Sequence, residues 1–599
     1  MMRVRPNTDN GLTATATDAE GNTTSYTYDG FDRLSKTNYP SPAKGSGTSS
    51  MTDYEQLSYD ANGNATSRRL RDGTTIGYSY DNLNRLVTKD LPGSELDVTY
   101  GYDLSGRPTS AATSAQNLSF TYDALGCNLT QAGPLGTVSY QYDAGGRTRL
   151  TWPDAYYVTY DYQITGEMTT IKENGTTTLG TYAYDDLGRR TTLTRGNGVV
   201  TTYGFDPVSR LSSLASDLTG TTNDLSLGFS YNPASQITST TRSNNAYAWT
   251  GAANIARNYA TNGLNQYSAA TSTTFGYDAR GNLTSSGSSA YTYSSENLLL
   301  TGPNSASLTY DPLMRLYQSG STSVAATKNL YDGDQQIASY LASSGAMTQR
   351  YIMGPGTDEQ LLEISAAGTK TWIVTDERGS VIAGSDSSGN VAGINTYDEY
   401  GIPGASNTFR RQYTGQVWLP ELGMYYYKAR KYSPTLGRFM QTDPIGYGDG
   451  INWYNYVSAD PVNLSDPAGL EQGTIIVTGI RSCMDFGTCG SPYGSLGGIM
   501  PISIMRPPGG GDTLGDIVVH GIKPGATPPA PGVSEPPKAD IACGVFDDGS
   551  VGCRRMTYKE LCSGASRRRK SLTGLGAADL AIVGGSGLIK QLGKGMLPG

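Results

Sequence analysis

A tyrosine-aspartate unit that returns every twenty or so residues constrains this chain more than any other feature. Its second aromatic stands at Tyr80, Tyr102, Tyr122, Tyr142, Tyr162, Tyr184 and Phe205, at spacings of 20 to 22 residues. A fixed period of this size marks a repeat architecture. Each unit reads Tyr-x-Tyr-Asp, then two or three residues, Gly, and Arg or Asn, as in Tyr182-Ala183-Tyr184-Asp185 followed by Gly188-Arg189. Aromatics alternating with Ser, Thr or Gly place the rings on one face of a strand. Asp-x-x-Gly-Arg is turn chemistry, and a Thr-rich strand such as Thr191-Thr192-Leu193-Thr194 brings the chain back. One unit is therefore one β-hairpin. A lone hairpin is marginal in water, so neighbours must pair edge to edge into a long sheet. The fold class is mostly β. The 43 tyrosines against 9 phenylalanines suit rings that pack in layers while their hydroxyls reach polar partners. They read as structural, with sugar stacking as the other use a few of them allow.

The period weakens over 231–275, returns at Tyr277-Asp278, Tyr293, Tyr310-Asp311 and Tyr331-Asp332, and is lost from about residue 345. After Leu470 the units cease and the text turns Gly- and Pro-rich. This divides the chain into repeats over 1–345, a second region over 346–470 and a variable C-terminal segment over 471–599. In that segment 474–479 and 516–521 read as short buried strands, 524–537 as a low-complexity linker, and Arg567-Arg568-Arg569-Lys570 as a solvated basic run.

Several chemistries are excluded from the body. Its single histidine, His520, lies after Leu470, so Ser-His-Asp catalysis and histidine zinc sites have no residues there. Of six cysteines only Cys127 precedes residue 471, and the rest lack C-x2-C spacing. Disulfides or structural thiols are expected of them, and no metal or cofactor site. The net charge is −8, with a mildly acidic body that offers no nucleic-acid surface. The N-terminus lacks the apolar core of a classical signal peptide, and no 18-residue apolar run is present to span a membrane. The chain opens in phase with a repeat at Ala19-Glu20-Gly21-Asn22, so an upstream region serving export is expected.

The stretch from Gly437 to Leu470 carries two Asp-Pro-x-Gly units, Asp443-Pro444-Ile445-Gly446 and Asp466-Pro467-Ala468-Gly469, with 18 residues between Tyr447 and Asp466. Each suits a tight turn: Asp caps its own backbone, Pro presets φ and Gly accepts positive φ. A second reading brings the two carboxylates together, one protonated and one ionised, to activate water and protonate a leaving amine. Spacing leaves both readings open.

With Tyr397-Asp398-Glu399-Tyr400-Gly401 and the stretch 410–439, these units resemble the end of the core domain of the RHS-repeat (YD-repeat) family, departing at Tyr447 in the DPxG-aromatic position. The resemblance implies a spiralling hairpin sheet forming a complete or partial hollow shell. It also implies intramolecular aspartyl-type cleavage by Asp443 and Asp466 at the Leu470-Glu471 bond. Arg438, in the Gly-Arg-Phe just upstream, is a weaker candidate for orienting the pair; its other reading is a shell-lining cation. The implied function is a shell that encloses the segment 471–599 as an effector and releases it, in bacterial competition or host interaction. The expected partners are that segment as cargo and an immunity protein. The location is secreted or delivered at a cell surface. The alternative is a non-enzymatic surface or secreted repeat protein that binds carbohydrate or a partner cell, with the DPxG units serving as turns.

Overall fold

The computed structural model describes residues 3–6, 10–143, 146–253, 256–474, 541–545 and 551–555. Twenty-two strands, from Arg3–Pro6 to Ile237–Arg242, form one antiparallel sheet in which each strand pairs with the next along the chain. Among the described residues its first and last strands are not paired with each other, so the sheet is open. A five-stranded sheet from Tyr259–Thr261 to Ser289–Ala290 follows, then eleven strands from Thr292–Tyr293 to Val391–Ile394. Pairing in this last sheet continues across residue 345, where the tyrosine period ends. A four-stranded sheet, Val417–Leu419, Met424–Tyr427, Arg430–Ser433 and Arg438–Phe439, carries the chain toward the DPxG units.

The repeat motif explains its own geometry. Asp81 Oδ1 accepts from the backbone N–H of Leu83 and Arg85 at 2.8 and 3.0 Å, and its Oδ2 accepts from Arg85 Nε at 2.7 Å. The same arginine reaches forward to donate to the Asp103 carbonyl of the next unit at 2.8 Å, with its guanidinium 4.9 Å from the Tyr102 ring. Arg107 repeats this contact to the Asp123 carbonyl at 2.8 Å. The second tyrosine reaches backward: Tyr80, Tyr102 and Tyr122 donate their hydroxyls to the carbonyls of Ala65, Leu86 and Pro108 at 2.9, 2.8 and 2.7 Å. Phenylalanine would lose this clamp. Each such bond stabilises by about 1 kcal/mol net, and a register shift beside the tyrosine, as between Ser79 and Tyr80, adds the local twist of a bulge.

Contacts between distant repeats set the winding. Arg71 Nη1 donates to the Arg280 carbonyl at 3.1 Å, Lys89 Nζ meets Glu296 at 2.7 Å, and Arg190 forks onto Glu359 at 2.6 and 3.0 Å. Two tryptophans cross in opposite senses, Trp152 Nε1 to the Ile337 carbonyl at 3.1 Å and Trp372 Nε1 to the Leu179 carbonyl at 3.0 Å. These partners lie 169 to 209 residues apart, so the later sheet lies along the earlier one as a second turn of a spiral. Val138, Leu150, Ile171 and Leu179 from the first turn share one core with Ile337, Ile352 and Leu362 from the second. The body is thus a partial β shell. No helix among the described residues is long and apolar enough to cross a membrane.

In the C-terminal segment the described strands Ile541–Val545 and Val551–Arg555 pair antiparallel. The expected strand at 516–521, all but the first residue of that at 474–479, the linker and the basic run lie outside the described residues.

Candidate functional site: two aspartates over a buried arginine

The chain between the four-stranded sheet and Leu470 packs around a cluster of rings. Tyr413, Tyr425, Tyr427, Tyr432 and Tyr456 are buried with Phe439, and the Tyr432 and Tyr456 rings stand 4.3 Å apart. This floor buries Arg430, whose strand runs between those of Met424–Tyr427 and Arg438–Phe439. Its guanidinium lies 3.8 Å from the centre of the Phe439 ring. Every nitrogen is engaged: Nε donates to the Gly469 carbonyl at 2.6 Å and Nη1 to the Trp453 carbonyl at 3.0 Å. Nη2 stands 2.9 Å from Asp443 Oδ2 and 3.4 Å from Asp466 Oδ2.

The DPxG units serve as turns, and the two aspartates also lie beside one another. Asp443 caps its turn by accepting from Ile445 N at 3.0 Å, and Asp466 Oδ1 accepts from Leu470 N at 2.9 Å. Their remaining oxygens converge on one arginine nitrogen. Gly469 makes the approach possible, with φ at +69° and room so tight that a Cβ would sit 2.5 Å from the Tyr427 carbonyl oxygen. The second unit is further tied down by Ala429 N to the Ala468 carbonyl at 3.1 Å and by Lys428 Nζ to the Pro467 carbonyl at 2.6 Å. Lys428 is itself paired with the buried Asp358 at 2.7 Å.

Asp443 and Asp466 are 3 and 1 % exposed, and that burial decides their acidity. It pushes the Asp443 carboxyl up to about 7 against the pull of Arg430, with Asp449 and Asp466 adding to the rise. Asp466 is raised by the same burial, also against Arg430. Burial thus favours the protonated form of both carboxyls, and the Arg430 guanidinium favours the ionised form.

Asp449 completes the arrangement. It accepts from Gln472 N at 3.0 Å, so the Leu470-Glu471 peptide is flanked by amides that two carboxylates hold, Asp466 on one side and Asp449 on the other. Leu470 is half-buried and Glu471 is exposed. A recess with about 170 Å³ of room for water is lined by Asp443, Pro444, Ala468 and Leu470, and also by Glu55, Arg68 and Lys89 of the first turn. Asp443 is thus the member of the pair that meets this space.

Arg438 lies elsewhere. It donates to the Asn265 carbonyl at 2.9 Å and stacks 3.5 Å from the Tyr267 ring. The position between the carboxylates belongs to Arg430, which the sequence did not single out; in Tyr-Tyr-Tyr-Lys-Ala-Arg-Lys-Tyr it reads as one cation among three. Asp449 was legible only as a residue of the same Gly-rich stretch. Tyr447 ties the site to the start of the chain, its hydroxyl 2.6 Å from Thr24 Oγ1 and its ring 4.8 Å from that of Trp453. The repeat tyrosines Tyr80, Tyr102 and Tyr122 spend their hydroxyls on carbonyls within the sheet. Among the described residues no group of His, Cys, Asp and Glu is arranged to hold a metal ion.

A wound sheet of Tyr-Asp hairpins, ended by a core in which two DPxG carboxylates meet over a buried arginine, defines a YD-repeat shell protein. The family model described as Teneurin YD-shell matches residues 4–247 and 201–462, and the chain belongs to that family. Among curated proteins it is similar to the tRNA3(Ser)-specific nuclease WapA of Bacillus spizizenii, 31% identical over 34% of this chain and 9% of the relative. It is also similar to the double-stranded DNA deaminase toxin A of Burkholderia cenocepacia, 27% identical over 48% of this chain and 24% of the relative. The chain thus spans less than a quarter of the length of these relatives. Among solved structures it resembles TcdB2-TccC3 with Cdc42, with a TM-score of 0.53 at 18% identity over 77% of this chain and 31% of that one. The Tc holotoxin pore of Photorhabdus luminescens gives a TM-score of 0.53 at 16% identity over 80% and 31%. At these identities the likeness is one of fold.

Proposed function

We propose that this protein is an RHS-type shell that encloses the segment following Leu470 and frees it by cutting its own Leu470-Glu471 bond. The observation that carries this reading is that Asp466 holds the Leu470 amide at 2.9 Å while sharing one Arg430 nitrogen with Asp443. In the step proposed, the ionised member of the pair takes a proton from a water drawn from the adjoining recess. The hydroxide attacks the Leu470 carbonyl carbon. The protonated member gives its proton to the Glu471 nitrogen as the C–N bond breaks, leaving a Leu470 carboxylate and a free Glu471 amine. Arg430 balances the charge of the ionised carboxylate and, through the Gly469 carbonyl, holds the strand that presents the bond. Asp449, through Gln472, holds its far side.

The relatives that are a nuclease and a deaminase toxin support an effector role for the released segment, with an immunity protein as its partner and delivery outside the producing cell. The intact mass of the purified chain tests the reading. A fragment beginning at Glu471, lost in Asp466→Asn, is expected. A single uncut mass in both would overturn the self-cleavage.

A further inference from the structure

The fourth residue after the turn aspartate has a set task in the first sheet. Arg33, Arg85, Arg107, Arg189 and Arg210 each return their Nε to Oδ2 of their own turn aspartate at 2.6 to 2.8 Å, and Asn64 does the same with its side-chain amide at 2.9 Å. In Asp123-Ala124-Leu125-Gly126-Cys127 a cysteine holds that position. The backbone of the turn is unchanged, with Cys127 N donating to Asp123 Oδ1 at 2.9 Å as Arg107 N does to Asp103 Oδ1. A thiol side chain can neither neutralise the aspartate nor reach forward to the next turn as Arg85 and Arg107 do. Cys127 is instead 1 % exposed, and its sulfur is in a disulfide. One repeat has thus exchanged a charge-assisted hydrogen bond for a covalent link.

The sequence says where that link leads. Cys127 is the sole cysteine of residues 1–470, and the other five, Cys483, Cys489, Cys543, Cys553 and Cys562, all follow Leu470. Five cysteines cannot pair off among themselves, whereas with Cys127 they make six. Within one chain the bond of Cys127 therefore ends on the segment 471–599.

We propose that this disulfide tethers the C-terminal segment to the wall of the shell, and that the segment leaves only once the bond is reduced. The tether stands without self-cleavage; its part in release rests on the proposed cut at Leu470-Glu471. That cut removes the peptide link, and Cys127 still holds the segment. In an oxidising medium the bond persists, and in a compartment that maintains thiols a dithiol reductant severs it. With Cys127 buried, a thiolate of the reductant attacks the partner sulfur and Cys127 departs as a thiolate. The second thiol of the reductant then closes on the mixed disulfide and expels the partner sulfur. Two electrons and two protons pass to the two cysteines, and the dithiol becomes a disulfide. A shell cut in an oxidising medium thus keeps its segment until it meets a reducing one.

The full chain, produced in an oxidising host compartment and purified without reductant, tests the tether. Alkylation with iodoacetamide and digestion should give the Cys127 peptide linked to a peptide from 471–599, and dithiothreitol should part the two. On a denaturing gel the cut chain should run as one species without reductant and as two, residues 1–470 and 471–599, with it. Cys127→Ser should run as two in both lanes. A Cys127 that takes up iodoacetamide before reduction, a Cys127 linked to that of a second copy, or a cut chain that parts on the gel without reductant overturns the proposal. A chain that stays uncut but yields the linked peptide overturns self-cleavage and supports the tether.

Discussion

Replacing Arg430 by Met removes the cation that, among the described residues, contacts both DPxG carboxylates and gives the sharpest test of the site's electrostatics. The arginine is fully buried, and so are the two aspartates it faces. Breaking a buried ion pair by removing one partner costs about 3–5 kcal/mol because the other charge is left uncompensated. Loss of the bonds to the Gly469 and Trp453 carbonyls adds about 1–2 kcal/mol. The first part depends on pH. Asp443 is raised on folding from 3.8 to about 7. Its favourable contribution is therefore fully present below the unfolded value and is lost as pH rises through about 7. At pH 5 the folded Asp443 is protonated and needs no counter-charge, whereas at pH 8 it is ionised and does. Arg430→Met should therefore cost several kcal/mol at about pH 8 and about 1 kcal/mol less at about pH 5. Urea unfolding at the two pH values, followed by far-UV circular dichroism, measures it. Equal losses at both pH values would refute the reasoning that Asp443 is the titrating partner. A loss below about 1 kcal/mol at pH 8 would refute the buried pair itself.

Two further outcomes follow from the geometry. Gly469→Ala forces a side chain into the left-handed region and against the Tyr427 carbonyl; it should destabilise the protein by about 1–3 kcal/mol and abolish the Glu471 fragment, and cleavage at the parental rate by intact mass would count against the assigned geometry. The turn aspartates titrate with the opposite sign to Asp443: Asp29 is lowered first by the Arg33 side chain and Asp81 first by the Arg85 amide. Their contribution is present above the unfolded value and lost as pH falls through the depressed one. The thermal midpoint should thus drop between about pH 5 and pH 3, and a midpoint flat over that interval would show that the turns do not depend on ionised aspartate.

What the sequence determined by itself is everything that acts within one repeat. The pairing of Tyr80 with Leu86, the capping by Asp81 and the return of the chain on a Thr-rich strand involve residues fewer than 25 positions apart. Their period printed the hairpin sheet directly into the text. The two aspartates of the site were legible for the same reason: each sits in a turn whose Pro and Gly are local requirements. The tertiary structure decided what closes over longer distances. The winding depends on contacts such as Trp152 with Ile337 and Arg190 with Glu359, where no local pattern names the partner. Arg430 was invisible because a buried arginine in a strand is chosen by what packs on it, here Phe439 below and two carboxylates above. The prominent Arg438 instead satisfied the Asn265 carbonyl and Tyr267. A turn motif can show that Asp443 and Asp466 each cap a bend. Only the burial of both carboxyls raises the pKa of Asp443 to about 7, against the pull of Arg430, because desolvation belongs to the packed site and not to the segment that supplies the residue.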